Sequence, residues 1–223
     1  YKDNAERCMS WAIHDNPAFA YQDTRSTKFL SQPLRSSPKH NIITTPLQMR
    51  HFEYELIKDK EFIKECRSQK KVYDYLFVGQ TGYANRHVFR PENLNIKNYL
   101  FRETKSIYHT HNVKERVALL KEFCLELSKA KFCFCPRGAG SSSFRLYQSL
   151  MVGTSPLVYG MVDFPFSDEV IWQNIAIIEH PLDNLQELQY TSELRSAGIE
   201  AWDKYFLMDK TDTLLFERML EKE

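Results

Sequence analysis

The sequence predicts an α/β protein whose main body is a parallel β-sheet. From residue 73 onward, short apolar runs alternate with amphipathic helical stretches. The runs have the length of strands buried on both faces, and a glycine-rich turn joins one of them directly to a helix. Strands separated by helices at this spacing imply right-handed crossovers, the construction of a Rossmann-like unit with both sheet faces covered.

Before that point, residues 9–13 read as a buried strand, 31–38 as a Ser/Pro-rich loop, and 41–45 as a β-branched strand ended by Pro46. Residues 53–66 are charged and helical in character and would connect this part to the sheet. Residues 73–78 form a β-rich run ended by Gly79. Helical spacing over 112–129 places Val113, Val117, Leu120, Cys124 and Leu127 on one stripe. Residues 132–135 then read as a strand, 141–152 as a helix, 157–159 as a strand, 167–172 as a short helix and 175–178 as a strand. From residue 185 the chain is amphipathic, with Trp202, Tyr205, Phe206, Leu214, Leu215 and Phe216 as anchors that pack back across the body. The domains so implied are a shortened N-terminal domain over 1–70, the sheet domain over 71–190 and C-terminal helices over 191–223.

Among 223 residues, 43% are apolar and 26% charged, which excludes a disordered or fibrous chain. Lys and Arg number 30 against 29 Asp and Glu, so there is no broad electrostatic footprint for nucleic acid or an anionic membrane, and any phosphate binding must be local. No run of about 18 apolar residues occurs, so no membrane span is expected. The polar start is no signal peptide, although a leader or anchor could have been removed. Cys8, Cys66, Cys124, Cys133 and Cys135 lack paired zinc spacing and are expected to be buried free thiols, Cys133 and Cys135 sharing one strand face. A soluble, reducing compartment such as a cytoplasm suits that set; the Golgi lumen is the alternative if an anchor was lost.

The segment richest in chemistry is residues 132–145. A strand ends at Pro136, Gly138 and Gly140 permit close backbone approach, and Ser141, Ser142 and Ser143 offer hydroxyls to cap the next helix. A helix start presents unpaired N–H groups to an anion, and Arg137 and Arg145 add fixed charge. Arg145 and Gln148, three apart, share a helix face and can reach one ligand at the carboxyl edge of the sheet, which suits a diphosphate. A glycine turn with a well-capped helix and surface arginines would show the same spacing. No Gly-Lys-Ser/Thr follows, so a nucleotide-triphosphate loop is excluded, and Ser143 stands where a dinucleotide fingerprint needs its third glycine.

Cys135-Pro136-Arg137-Gly138, then residues 142–150 (Ser-Ser-Phe-Arg-Leu-Tyr-Gln-Ser-Leu), 155–158 (Ser-Pro-Leu-Val) and 164–168 (Phe-Pro-Phe-Ser-Asp) with Trp172, resemble the C-terminal signature of exostosin-family glycosyltransferases. Weaker echoes lie at residues 13–15, 42–47 and 75–86, so the resemblance covers roughly residues 9–180. The shortened N-terminal domain is similar to that of compact members carried by large algal viruses. The resemblance implies a GT-B arrangement of two Rossmann-like domains, a UDP-sugar donor in the cleft, a glycan acceptor and inversion at the anomeric carbon. It also implies that the loop and helix from Arg137 to Arg145 hold the diphosphate, with Arg86 as a second cation. The family usually has Glu where Gln148 stands, to bind the ribose hydroxyls; Gln lacks charge-assisted strength there. Xylose is the first choice of sugar.

Such a transfer needs a base for the acceptor hydroxyl and stabilisation of the departing diphosphate. No Asp-x-Asp occurs, so neither a metal nor another cofactor is expected, and leaving-group charge would fall on the arginines and the helix end. Asp15 is the candidate base, at the end of an apolar run; a turn cap before Asn16-Pro17 is the alternative. His14 could orient Asp15 or the acceptor, a structural histidine beside a turn being the alternative. His109-Thr110-His111 is spaced like a metal pair, but no nearby Cys or carboxylate completes a ligand set. Tyr108 and His109 lie where the uracil would be presented, and Asp163 and Phe164 where the donor sugar would sit, Phe164 being equally readable as core. A binding module without turnover is the competing function.

Overall fold

The computed structural model describes residues 9–12, 27–30, 42–44, 46, 51–82, 85–104, 112–138, 142–161 and 164–220. The protein is α/β, with two parallel sheets among the described residues. The smaller has three strands in sequential order, β1 (Met9–Ala12), β2 (Thr27–Leu30) and β3 (Ile42–Thr44). β1 and β3 fall where apolar patterning put them, whereas β2, Thr-Lys-Phe-Leu, has too little alternation to announce itself.

The larger sheet contains β4 (Tyr73–Gly79), β5 (Tyr99–Glu103), β6 (Ala130–Pro136), β7 (Ser155–Tyr159) and β8 (Ile177–Ile178), in the spatial order β5-β4-β6-β7-β8. All neighbours are parallel: Tyr75 lies opposite Tyr99 on one side and Phe132 on the other, and Cys135 opposite Val158. The chain leaves β4 toward one side and returns on the other. A topological switch point therefore opens between the carboxyl ends of β4 and β6, the place where open α/β sheets bind ligands.

Among the described residues six α-helices accompany the sheets: α1 (His51–Lys58), α2 (Lys60–Ser68), α3 (Val113–Ser128), α4 (Phe144–Val152), α5 (Ser192–Ala201) and α6 (Met208–Leu220). The stretch expected to be helical over 53–66 is two helices. Asp59 breaks it by capping α2, its Oδ1 accepting from Phe62 N at 3.1 Å while Oδ2 takes Lys121 Nζ at 2.5 Å. At the start of α3, Asn112 accepts from the amides of Lys114 and Glu115 at 3.0 and 3.3 Å.

Strand alternation sorts the core into two unlike halves. Leu76, Val78, Cys133 and Cys135 point toward the helices, where Leu56, Phe62 and Cys66 of α1 and α2, Leu120, Cys124 and Leu127 of α3 and Leu146, Leu150 and Met151 of α4 join one buried cluster. Each fully buried Leu there is worth about 1.5–3 kcal/mol. Cys66, Cys124, Cys133 and Cys135 are free and buried, as their spacing suggested; Cys8 lies outside the described residues. Tyr75, Phe77, Phe132 and Phe134 point the other way, against Phe89, Leu94 and Leu185. Among the described residues that face is covered mainly by 3₁₀ turns at Arg86–Phe89, Pro91–Asn93 and Leu182–Glu187, with Leu194 of α5 packed against it. Short turns leave carbonyls unpaired, and tyrosines satisfy several of them. Tyr75 Oη donates to Leu185 O at 2.5 Å, Tyr99 Oη to Phe89 O at 2.5 Å and Tyr159 Oη to His180 O at 2.9 Å.

Three expectations are corrected. The helix placed at 141–152 begins at Phe144. The short helix placed at 167–172 is a run of turns followed by a 3₁₀ turn at Trp172–Asn174: Phe166 is left-handed (φ 53), and the Trp172 indole is spent on Pro165 O at 2.9 Å. In the C-terminal region Trp202, Phe206 and Leu215 are buried anchors, but Phe216 is 57% exposed. A π turn at Trp202–Phe206 brings Trp202 and Phe206 into the core. Arg67 clasps this region to α2 and α4: its guanidinium forks onto Asp203 at 2.9 and 2.8 Å, Nε donates to Met151 O at 2.9 Å, and Arg195 donates to the Arg67 carbonyl.

Lys71, just before β4, performs a similar task beneath the sheet. Its Nζ donates to Ser128 O at 2.8 Å, Gly153 O at 2.7 Å and Thr154 Oγ1 at 3.3 Å, gathering the carboxyl ends of α3 and α4. Burial, helped by the charge of Arg195, pushes its pKa down to about 7. Between that value and the ordinary 10.5, the unfolded chain holds a proton that the folded chain has released. The contribution to stability therefore rises with pH across the window and is flat below it. A Lys71→Met variant is expected to lose about 2 kcal/mol by leaving the carbonyls unpaired. In urea titrations, the wild type's lead over it should widen from pH 7 to 10.5; a constant lead would show that Lys71 stays charged throughout.

Candidate functional site: an arginine cluster at the switch point

The strands that deliver the site end at Gly79 (β4) and Pro136 (β6). After β4 the chain turns through Asn85, whose left-handed backbone (φ 59) starts the 3₁₀ turn carrying Arg86. Arg86 reaches across the switch point. Its Nε and Nη2 donate to Arg137 O at 3.0 and 2.7 Å, and Nη2 also contacts Pro136 O at 3.2 Å. The loop is braced from the β5 side, where Glu103 accepts from the Thr81 hydroxyl and from Arg90 Nη2 at 3.4 Å, while Thr81 Oγ1 accepts from Arg90 at 3.1 Å. The Thr81 hydroxyl bond above all, with Arg90 beside it, holds the Glu103 carboxyl below its usual range.

Arg145 lies in the first turn of α4 with its guanidinium over the Phe123 ring, 4.6 Å from the centroid. Its Nη2 comes so close to Gly79 that a Cβ there would stand only 3.2 Å away. Glycine at 79 thus makes room for the guanidinium. Gly79→Ala is expected to move Arg145 by a few tenths of an ångström and weaken pyrophosphate binding about 3-fold with little change in melting temperature, since tight contacts with a flexible side-chain end relax cheaply. Titration calorimetry on the variant checks it; unchanged affinity would detach Gly79 from the site. Arg137 lays its stem against Gly160, whose missing Cβ would fall 3.1 Å from Cδ, and leaves its head exposed.

Three cations therefore converge. Burial first, and then the charges of Arg145 and Arg137, push Arg86 down to about 10, so it stays protonated at neutral pH. Among the described residues no carboxylate pairs with any of the three. Beside them, Gly138 N donates to Ser142 O at 3.0 Å and closes the loop into α4. The serines do not cap as expected: Ser143 occupies the N-cap position in an extended conformation, but its side chain makes no capping bond. The Ser142 hydroxyl, in a residue only 5% exposed, has no hydrogen-bond partner among the described residues. An uncapped helix start, an orphan hydroxyl and three guanidinium groups without a carboxylate partner together favour a multiply charged anion.

Arg86, Arg137, Gly138, Ser142, Ser143 and Arg145 are thus brought together at one edge. Gln148 lies a turn further along α4 and is 6% exposed. Phe164 packs on Trp172, ring centroids 4.7 Å apart, at the margin of the helical core. His14, Asp15, Tyr108, His109, Ser141 and Asp163 lie outside the described residues. Thr81, Arg90 and Glu103 were not anticipated: Thr81 and Glu103 are 22 positions apart, and only the β4–β5 pairing joins them. Among the described residues no three His, Cys, Asp or Glu side chains are grouped to hold a metal ion. A separate, open cavity of about 470 Å³ is lined by Ser196, Ile199 and Glu200 of α5 with Asp203 and Lys204, and includes none of the arginines. No helix among the described residues is long and apolar enough to cross a membrane. No family model matches the chain, and no curated protein matches it.

Proposed function

We propose that this chain is an inverting glycosyltransferase that moves a sugar, xylose first, from a UDP-sugar to a glycan hydroxyl by metal-independent single displacement. The observation that carries the reading is the convergence of Arg86, Arg137 and Arg145 on the uncapped start of α4, at the switch point of a Rossmann-like sheet. Guanidinium groups without a carboxylate partner and helix N–H dipoles stabilise a diphosphate most when its charge grows, as it does when the bond to the anomeric carbon breaks. The sequence resemblance supplies the rest. Asp15 takes the acceptor proton with His14 orienting it, Tyr108 and His109 flank the uracil, Ser141 extends the diphosphate loop, and Asp163 meets the donor sugar. The three-stranded sheet would then belong to a shortened acceptor-side domain of a GT-B arrangement.

The second reading, a sugar-nucleotide-binding module without turnover, is favoured by one feature: a buried Gln148 where the resembling family has a carboxylate. UDP release from a panel of UDP-sugars, with EDTA present and simple glycoside acceptors added in turn, separates the two. Release from one donor that resists EDTA and rises with an acceptor is the expected result. Binding without turnover would favour the module, and failure to bind UDP would overturn both.

A further inference from the structure

Glu179 follows β8 at the same carboxyl edge and has a left-handed backbone (φ 52), a conformation unfavourable to a residue with a Cβ and commonest at functional sites. Its amide donates to Val158 O at 2.9 Å, and its carboxylate folds back so that Oε1 accepts from Gly160 N at 2.5 Å. Gly160 thus has the Glu179 carboxylate on its N–H and the stem of Arg137 against its Cα. The side chain is exposed, and its second oxygen has no protein hydrogen bond among the described residues.

A carboxylate on the rim of an anion site repels phosphate, so the phosphates are not what it serves. An ionised carboxylate only accepts hydrogen bonds, and the neutral donors that a sugar nucleotide carries next to its phosphates are hydroxyls, its uracil N–H lying beyond the ribose. We infer that Glu179 is a specificity-determining residue that accepts hydroxyl groups of the ligand next to its phosphates, Gly160 fixing one oxygen while the other is presented. The inference rests on the reading of the arginine cluster as a diphosphate-sugar site. The hydroxyls belong either to the nucleoside's ribose or to the transferred sugar, and the chemistry is common to both.

Calorimetry of wild type, Glu179→Gln and Glu179→Gly with pyrophosphate, UDP and UDP-xylose tests it. Glu179→Gly relieves the left-handed strain, so its melting temperature should not fall. Pyrophosphate should bind both variants as well as wild type or up to about 3-fold tighter, because a repelling charge is gone. Hydroxyl-bearing ligands should bind about 5-fold more weakly to Glu179→Gln and about 20-fold more weakly to Glu179→Gly, the scale of a charge-assisted hydrogen bond. Equal losses for UDP and UDP-xylose assign the hydroxyls to ribose, and a loss for UDP-xylose alone assigns them to the sugar. An equal shift for all three ligands, or none, would overturn the role of Glu179 while leaving the diphosphate site standing. A wild type that fails to bind pyrophosphate would remove the site and this inference together.

Discussion

Arg145→Ala is expected to bind UDP about 30-fold more weakly than wild type and yet to melt no lower. The two halves of that expectation have separate causes. Charge-assisted hydrogen bonds to a diphosphate are worth about 1.5–3 kcal/mol each, so losing one guanidinium costs roughly 10- to 100-fold in affinity. In the free protein, Arg145 has no carboxylate partner among the described residues and adds to the charge that depresses Arg86. Its removal forfeits the contact with Phe123, worth about 0.5–1 kcal/mol, and relieves a repulsion of similar size. Arg86→Ala is a useful contrast, because that side chain also ties the loop after β4 to the carbonyls of Pro136 and Arg137, so it should lose stability as well as affinity. Scanning calorimetry with and without UDP reads both effects. A destabilised Arg145→Ala variant with unchanged UDP affinity would make Arg145 a packing residue.

Asp15→Ala should lower sugar transfer about 10²- to 10⁴-fold while UDP affinity is unchanged, the range a positioned general base contributes. The split matters more than the size. A base acts only in the transition state, so its removal lowers kcat and kcat/KM together and spares nucleotide binding. Asp15→Asn should be as inactive as the alanine variant, since an amide has the shape but not the basicity. Transfer at the wild-type rate by either variant would exclude Asp15 from the mechanism. Unimpaired binding with no measurable wild-type turnover would leave the binding-module reading.

The strands most legible in the sequence are those whose neighbours bury them on both faces. β4, β6 and β7 lie inside the sheet, and their near-continuous apolar runs follow from that position. β5 is an edge strand with an intermediate face and a charged end, Tyr-Leu-Phe-Arg-Glu, so it carries no such run. The expected helix at 167–172 had suitable residues, but one left-handed residue and one indole hydrogen bond decided otherwise, and neither is periodic. The site divides in the same way. Arg137, Gly138 and Arg145 belong to one local strand-turn-helix segment and could be read directly. Glu103 and Glu179 reach the edge only through strand pairing and a backbone angle, which no local spacing encodes.

The clasp at Arg67 also bears on when the fold can close. Its partners, Met151, Arg195 and Asp203, lie 84, 128 and 136 positions further along the chain. Trp202, Phe206 and Leu215 complete a core begun by Leu56 and Phe62. While the ribosome still holds the segment beyond residue 190, the outer side of α4 lacks its cover and α2 lacks its latch. Cooperative closure of this unit therefore waits for the segment beyond residue 190 to emerge, and until it occurs the nascent sheet is the kind of exposed apolar surface that chaperones bind.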